Sequence, residues 1–226
     1  DPACEPLRAY LEPAASLLGP YELEKARYRW RRWGIFNCNW KVALEAFLEG
    51  YHFAGTHPQF LRFADFYSLS YAQGKHSNSS ARPRRDVAVT DSLMRVGKGD
   101  ARVMTAEMQV LYRDGMNAVT TETLFDAASR LVHELPEGTP ADPVVAHWLE
   151  AAQRADAARG VTWPTMTPEQ LEKCGNSWHV FPNFKIIQAP TTTLCHGFRP
   201  YGADPNWCIY ECTVIERFPE GQAPKT

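Results

Sequence analysis

From Ser177 onward the chain alternates. Apolar and polar residues exchange places through 177–181, 184–190, 193–199 and 207–218, with short breaks at FPN, APTT and GADPN. Period-two alternation between tight turns predicts four antiparallel strands. Residues 24–38, EKARYRWRRWGIFNC, place Tyr28, Trp30 and Arg32 on one parity and Trp33 and Ile35 on the other. That mixture predicts a strand exposed on one side. Residues 66–80 alternate weakly and predict one further strand. Elsewhere the period is helical. Val42, Leu44, Phe47, Leu48 and Tyr51 recur at that spacing, so residues 40–52 predict one continuous helix, with Gly50 the only poor former inside it. Helices are also predicted near 101–114, 120–134 and 143–159. Thr167-Pro168-Glu169-Gln170 reads as an N-cap with proline in the first turn of a short helix. Residues 5–18, punctuated by Pro6, Pro13 and the nearby Pro20, predict a connecting segment with a short helix, and 81–100 a polar loop. The sum is an α+β fold, with helices gathered on one side of an antiparallel sheet.

Composition narrows the function classes. A net charge of -2 gives no general basic field for nucleic acid, so RYRWRR is read as a solvated strand face. No apolar run approaches the roughly 18–20 residues of a membrane span, and no basic-then-apolar leader opens the sequence. The opening DPACEPLRAYLEP reads as a cut within a longer protein, and the sequence stops abruptly at FPEGQAPKT. Six cysteines without a CxxC pair are expected to be reduced thiols of a cytoplasmic protein. Cys208 and Cys212 share a strand face and are expected to pack in the core.

Candidate chemistry concentrates in EAFLEGYHFAGTHP, residues 45–58. Glu45, Glu49 and His52 are spaced i, i+4, i+7 and would lie on one helical stripe. His57 lies five residues beyond His52, roughly 140° away at about 100° per residue. Two histidines at this spacing share an ion only if the helix ends or widens between them. Gly55 in the gap and Pro58 after His57 supply that end. The spacing is not HExxH, whose histidines are four apart. Two imidazoles and a carboxylate with open positions suit non-haem Fe(II). A frayed amphipathic helix with two surface histidines fits the same residues.

The contiguous stretch NWKVALEAFLEGYHFAGTHP, residues 39–58, closely resembles the catalytic-domain motif of Rieske-type ring-hydroxylating oxygenase α subunits: Asn-Trp-Lys, Glu-x-Phe, then an acid-x-x-His-x4-His. RYRWRRW, SWHVFPNFKII and FRPYGADPNWCIYECTVIERFPEG also fit, so the resemblance covers nearly the whole chain and is weakest across 81–165. It implies a helix-grip, START-like fold, a curved antiparallel sheet with helices over one face. It implies His52 and His57 as ligands of a mononuclear Fe(II). Glu49 takes the place of an acid that is usually Asp and is not a ligand. That acid bridges a ligand histidine toward the Rieske 2Fe–2S cluster of a neighbouring subunit. The third ligand of the family is an acid on a later helix, expected beyond Thr226; Glu211 and Glu216, the late acids within the chain, are poor candidates. The cluster's CxH…CxxH pair is absent from the sequence. Residues 1–20 are therefore expected to be a linker from a Rieske domain, and 21–226 a catalytic domain cut short at its end.

The resemblance further implies O2 and electrons from NAD(P)H, delivered through a reductase or ferredoxin. The reaction would be cis-dihydroxylation or monooxygenation/demethylation of an aromatic or other apolar small molecule, in a homotrimer or heterohexamer. Phe53, His179, Phe181 and Asn183 are expected to line the substrate pocket. The alternatives are a metal-free START-like module for a hydrophobic ligand and a two-histidine metallohydrolase. Iron content would separate the first from an oxygenase, and oxygen-dependent turnover the second.

Overall fold

The computed structural model describes residues 3–50, 52–62, 68–81 and 99–225. Two short helices, α1 (Leu7–Tyr10) and α2 (Ala14–Leu18), precede strand β1 (Arg27–Phe36). Helices α3 (Trp40–Glu45) and α4 (Phe53–Thr56) follow, then a 3-10 turn at Pro58–Arg62 and strands β2 (Ser68–Gln73) and β3 (His76–Ala81). Next come α5 (Ala101–Val110), extended by a π-helical stretch at Leu111–Met116, α6 (Glu122–Glu134) and α7 (Ala141–Ala158). Helix α8 (Pro168–Cys174) leads into β4 (Ser177–Val180), β5 (Phe184–Gln188), β6 (Thr192–Pro200) and β7 (Cys208–Glu216).

The strands form one seven-stranded antiparallel sheet in the order β1-β7-β6-β5-β4-β3-β2, so β1 and β2 are its edges. This is the α+β architecture the alternation predicts. Successive residues of a strand face opposite sides, and the burial follows. Leu194 and Val214 pack with Trp30, Ile187, Ala118 and Val119 on one face. Trp178, Ile186 and Cys195 pack on the other beneath Ala14, Leu18 and Cys174, so the short helices α2 and α8 cover that side. The long helices pack on each other through Ala128, Leu131 and Val144, and through Leu124, Ala127, Ala151 and Ala152. They join the first face at 117–120, where the Trp30 indole donates to the Asn117 carbonyl at 2.8 Å and Arg29 donates to that of Thr120 at 2.8 Å.

Two predicted elements differ. Residues 68–81 form a hairpin rather than one strand, because the chain reverses at Gly74, whose φ of +63° favours glycine. The predicted helix 40–52 breaks after Glu45, and this break shapes the site. Most of the predicted loop 81–100, and Tyr51, Phe66 and Tyr67 of the predicted elements, lie outside the described residues. The expected N-cap at Thr167 forms a full capping box: its hydroxyl accepts from Gln170 N–H at 3.2 Å, and its own N–H donates to the Gln170 side chain at 2.8 Å. All six cysteines are free, with Cys208 fully buried 3.8 Å from the Cys38 sulfur.

Candidate metal centre

Helix α3 opens at Asn39, whose side chain caps the Lys41 N–H at 2.9 Å. Its buried face is short. Leu44 is 4% exposed, whereas Val42, on the predicted apolar stripe, is 60% exposed. Phe47 docks the segment on the sheet, its ring 4.3 Å from that of His196, 5.4 Å from Phe198 and 5.9 Å from Tyr210. The helical ladder tightens to three-residue spacing at Phe47 and Leu48, whose N–H groups donate to the Leu44 and Glu45 carbonyls at 2.9 Å. Beyond that turn the ladder stops. Glu49 and Gly50 are non-helical, and regular helix resumes only at Phe53.

The break changes what Glu49 does. Its Oε1 lies 2.5 Å from Nδ1 of His52, and its Oε2 accepts the His52 backbone N–H at 3.1 Å. One carboxylate thus orients the imidazole and satisfies a free donor at the start of the next helical turn. Glu45 is exposed and sits on the other side of the break. With Nδ1 engaged by the carboxylate as a donor, His52 keeps the lone pair of Nε2 for a ligand.

Helix α4 is a single turn that ends at His57. The His57 N–H donates to the Phe53 carbonyl at 3.0 Å, and the Thr56 hydroxyl and N–H both donate to that of His52 at 2.9 Å. The structure thereby brings the two imidazoles together, with ring centres 5.5 Å apart and planes at 75°. A metal-bound imidazole nitrogen lies about 2.1 Å from its ion, which puts the ring centre about 3.2 Å away. Two rings 5.5 Å apart are within reach of one such ion, so the pair fits a shared metal. Phe53 packs against both, 4.7 Å from His52 and 5.5 Å from His57.

Sequence reasoning missed Phe60, three residues after His57. It is 8% exposed, and its ring lies 5.4 Å from Phe53, 6.1 Å from His57 and 6.2 Å from Tyr112. The signal was an aromatic in the turn that Pro58 opens. Through Tyr112 the histidine turn reaches the π-helical stretch after α5.

Among the described residues no three His, Cys, Asp or Glu side chains converge on a common point. The two late acids are engaged elsewhere. Glu211 takes a bidentate contact from Arg31 at 2.9 and 2.8 Å, and Glu216 pairs with Arg29 at 3.2 Å. The other predicted residues lie along β4 and the turn after it. His179 has a buried Nε2 without a partner. Phe181 is 49% exposed, and its N–H donates to Nδ1 of His76 at 3.1 Å. Asn183 donates its amide to the Phe198 carbonyl at 2.5 Å, tying the β4–β5 turn to β6. A cleft of about 320 Å³ lined by Leu11, Ala14, Leu18, Val180, Phe184 and Ile186 lies on the opposite face of the sheet from Phe47. It is therefore not the surroundings of the histidine pair.

A search of curated proteins returned no match. The family model of the ring hydroxylating alpha subunit (catalytic domain) matches residues 20–220, which include the whole histidine turn and every strand. The chain belongs to the ring-hydroxylating α-subunit catalytic-domain family.

Proposed function

We propose that the chain is the iron-bearing catalytic domain of a Rieske-type oxygenase. It hydroxylates an aromatic or other apolar small molecule with O2. Its electrons come from NAD(P)H through a reductase or ferredoxin and a 2Fe–2S cluster held outside this chain. The observation that carries the reading is the pairing of His52 and His57, 5.5 Å ring to ring, with Glu49 clamped on the nitrogen of His52 that faces away from a ligand.

In this reading His52, through Nε2, and His57 hold Fe(II), and a carboxylate from outside the described residues takes the third position. Bound ferrous iron supplies O2 activation beside the substrate. The chain's own residues do the rest. Glu49 holds the proton on Nδ1 of His52, which keeps the imidazole in one tautomer and one orientation. The ring of Phe53 packs against both imidazoles and that of Phe60 against His57, giving one side of the pair an apolar lining. The Glu49 carboxylate also forms the hydrogen-bonded connection through which electrons reach His52 from a neighbouring subunit. That role favours an oligomer, a trimer or a heterohexamer.

Iron analysis of the protein and of His52→Ala and His57→Ala tests the assignment. Each variant is expected to lose its iron and its oxygen-dependent product together. Iron content unchanged in either variant would overturn it.

A further inference from the structure

The register of the sheet assembles a row that no single strand displays. Ser77, His179, Lys185, His196, Cys212 and Arg32 are successive cross-strand partners from β3 to β1. Directly paired residues point to the same face, with Cβ atoms about 4.5–5.5 Å apart. Phe47 lies on the ring of His196, so this is the face on which the histidine turn docks.

Three members of the row have unmet polar atoms. Lys185 is 4% exposed, and its ammonium has no hydrogen-bond or ion-pair partner among the described residues. Burial pushes it down to about 8, which leaves it charged at neutral pH. His196 is also 4% exposed. Its Nδ1 lies 2.8 Å from the Tyr210 hydroxyl, and its Nε2 is buried without a partner. Burial pushes His196 down to about 4, so the ring is neutral, and the tautomer in which the Tyr210 hydroxyl donates to Nδ1 carries the ring proton on Nε2. His179 Nε2 is buried and unpartnered on the other side of Lys185.

The acids of the neighbouring strand do not answer Lys185. Glu211 has the opposite parity to Cys212, faces the other side of the sheet and is held by Arg31 and Arg199. Glu216 shares the face but lies four residues along β7 from Cys212, and Arg29 holds it. A largely buried lysine with no acid beside its ammonium stabilises an anion that reaches it, and the row leaves a donor on each of two adjacent strands for one.

We propose that Lys185, flanked by His196 and His179, receives the carboxylate of an aromatic acid, which makes the substrate class an aromatic carboxylate rather than a neutral hydrocarbon. The carboxylate accepts from the Lys185 ammonium and from Nε2–H of His196. The Nε2 lone pair of His179 takes a further ammonium proton. The half-buried ring of Phe47 beside His196 offers apolar surface to the aromatic body. The proposal rests on the oxygenase reading for its reaction but not for its binding chemistry.

Calorimetric titration of the protein with benzoate, cinnamate and 1-naphthoate, each against its own amide, tests it. At least one acid is expected to bind about tenfold or more tighter than its amide, as a buried charge-assisted contact implies. Lys185→Met should erase that preference while moving the amide Kd by less than about twofold, and Lys185→Arg should retain most of it. The acid-over-amide preference is read in the unaltered protein, and Lys185→Arg keeps the charge, so a fold defect in the methionine variant does not remove the test. Three acids that bind no better than their amides, or a preference surviving in Lys185→Met, would overturn the proposal. Iron content separates the two readings: Lys185→Met is expected to keep the iron that His52→Ala loses.

Discussion

Glu49 grips His52 twice, with Oε1 2.5 Å from the ring Nδ1 and Oε2 on the backbone N–H at 3.1 Å. A residue in continuous helix three positions before a histidine would not reach both groups. The grip exists because the helix stops at Glu45 and restarts at Phe53. The same carboxylate sets the imidazole and starts the turn that carries it.

Removing that carboxylate should loosen the metal rather than the fold. Glu49→Ala is expected to lower iron affinity by about 10–100-fold, the usual effect of losing a hydrogen-bonded partner behind a ligand histidine. Glu49→Asp should recover part of that loss. Competition with a chelator reads both, and equal affinity in all three proteins would show that the contact does not prepare His52.

Phe47 is expected to matter in two ways. Its ring is the contact that seats the histidine turn on His196, Phe198 and Tyr210. Because it is only half-buried, Phe47→Ala should cost about 2–3 kcal/mol, below the range for a fully buried phenylalanine. Iron affinity should fall with it. Urea unfolding with and without iron measures the two effects. A stability change without a metal effect would detach the docking from the site.

Glu216 gives stability a pH dependence of unusual sign. Burial, with Asp156 near, pushes its carboxyl from 4.5 up to about 7 despite Arg29 at 3.2 Å. Its folded pKa lies above its unfolded one, so its contribution is fully present below about 4.5 and is lost as pH rises through 7. The amount is on the order of 3 kcal/mol. His196 slopes the other way. Pushed from 6.5 down to about 4, it contributes fully above 6.5 and loses that contribution as pH falls toward 4. The two flatten each other between about 4.5 and 6.5. Glu216→Gln should therefore gain on the parent protein between pH 5 and pH 8 in urea unfolding. A constant difference would mean that the buried carboxyl is not protonated.

The strands at 184–190, 193–199 and 207–218 were legible because their alternation is a local property of the residues. Which strands pair was not. β1 lies against β7, so Arg32 meets Cys212 across 180 positions, and no local pattern carries that information. The two histidines were legible as a candidate pair, but the expected helix end at Gly55 was not found: Gly55 lies inside the turn Phe53–Thr56, which ends at His57. The earlier break was hidden because Phe47 and Leu48 satisfy helical periodicity, although they sit in a turn that has already left the helix. The hairpin at 68–81 was read as one strand because a glycine within weak alternation does not reveal its φ. Lys185 and His196 are each unremarked within their strands and become neighbours only through the register of β5 and β6.

The edge position of β1 has a consequence for the molecule in a crowded solution. One side of the strand pairs with β7, and the other carries open N–H and C=O groups, a template on which a second chain can align. Residues 27–32 place arginine at four of six positions along that edge: Arg27, Arg29, Arg31 and Arg32. Two copies approaching edge to edge would bring these guanidinium groups together before their backbones could meet. Arg29 and Arg31 are paired with Glu216 and Glu211, so Arg27 and Arg32 carry the charge that opposes intermolecular sheet growth there. Replacing the charges of Arg27 and Arg32 is expected to show first as aggregation.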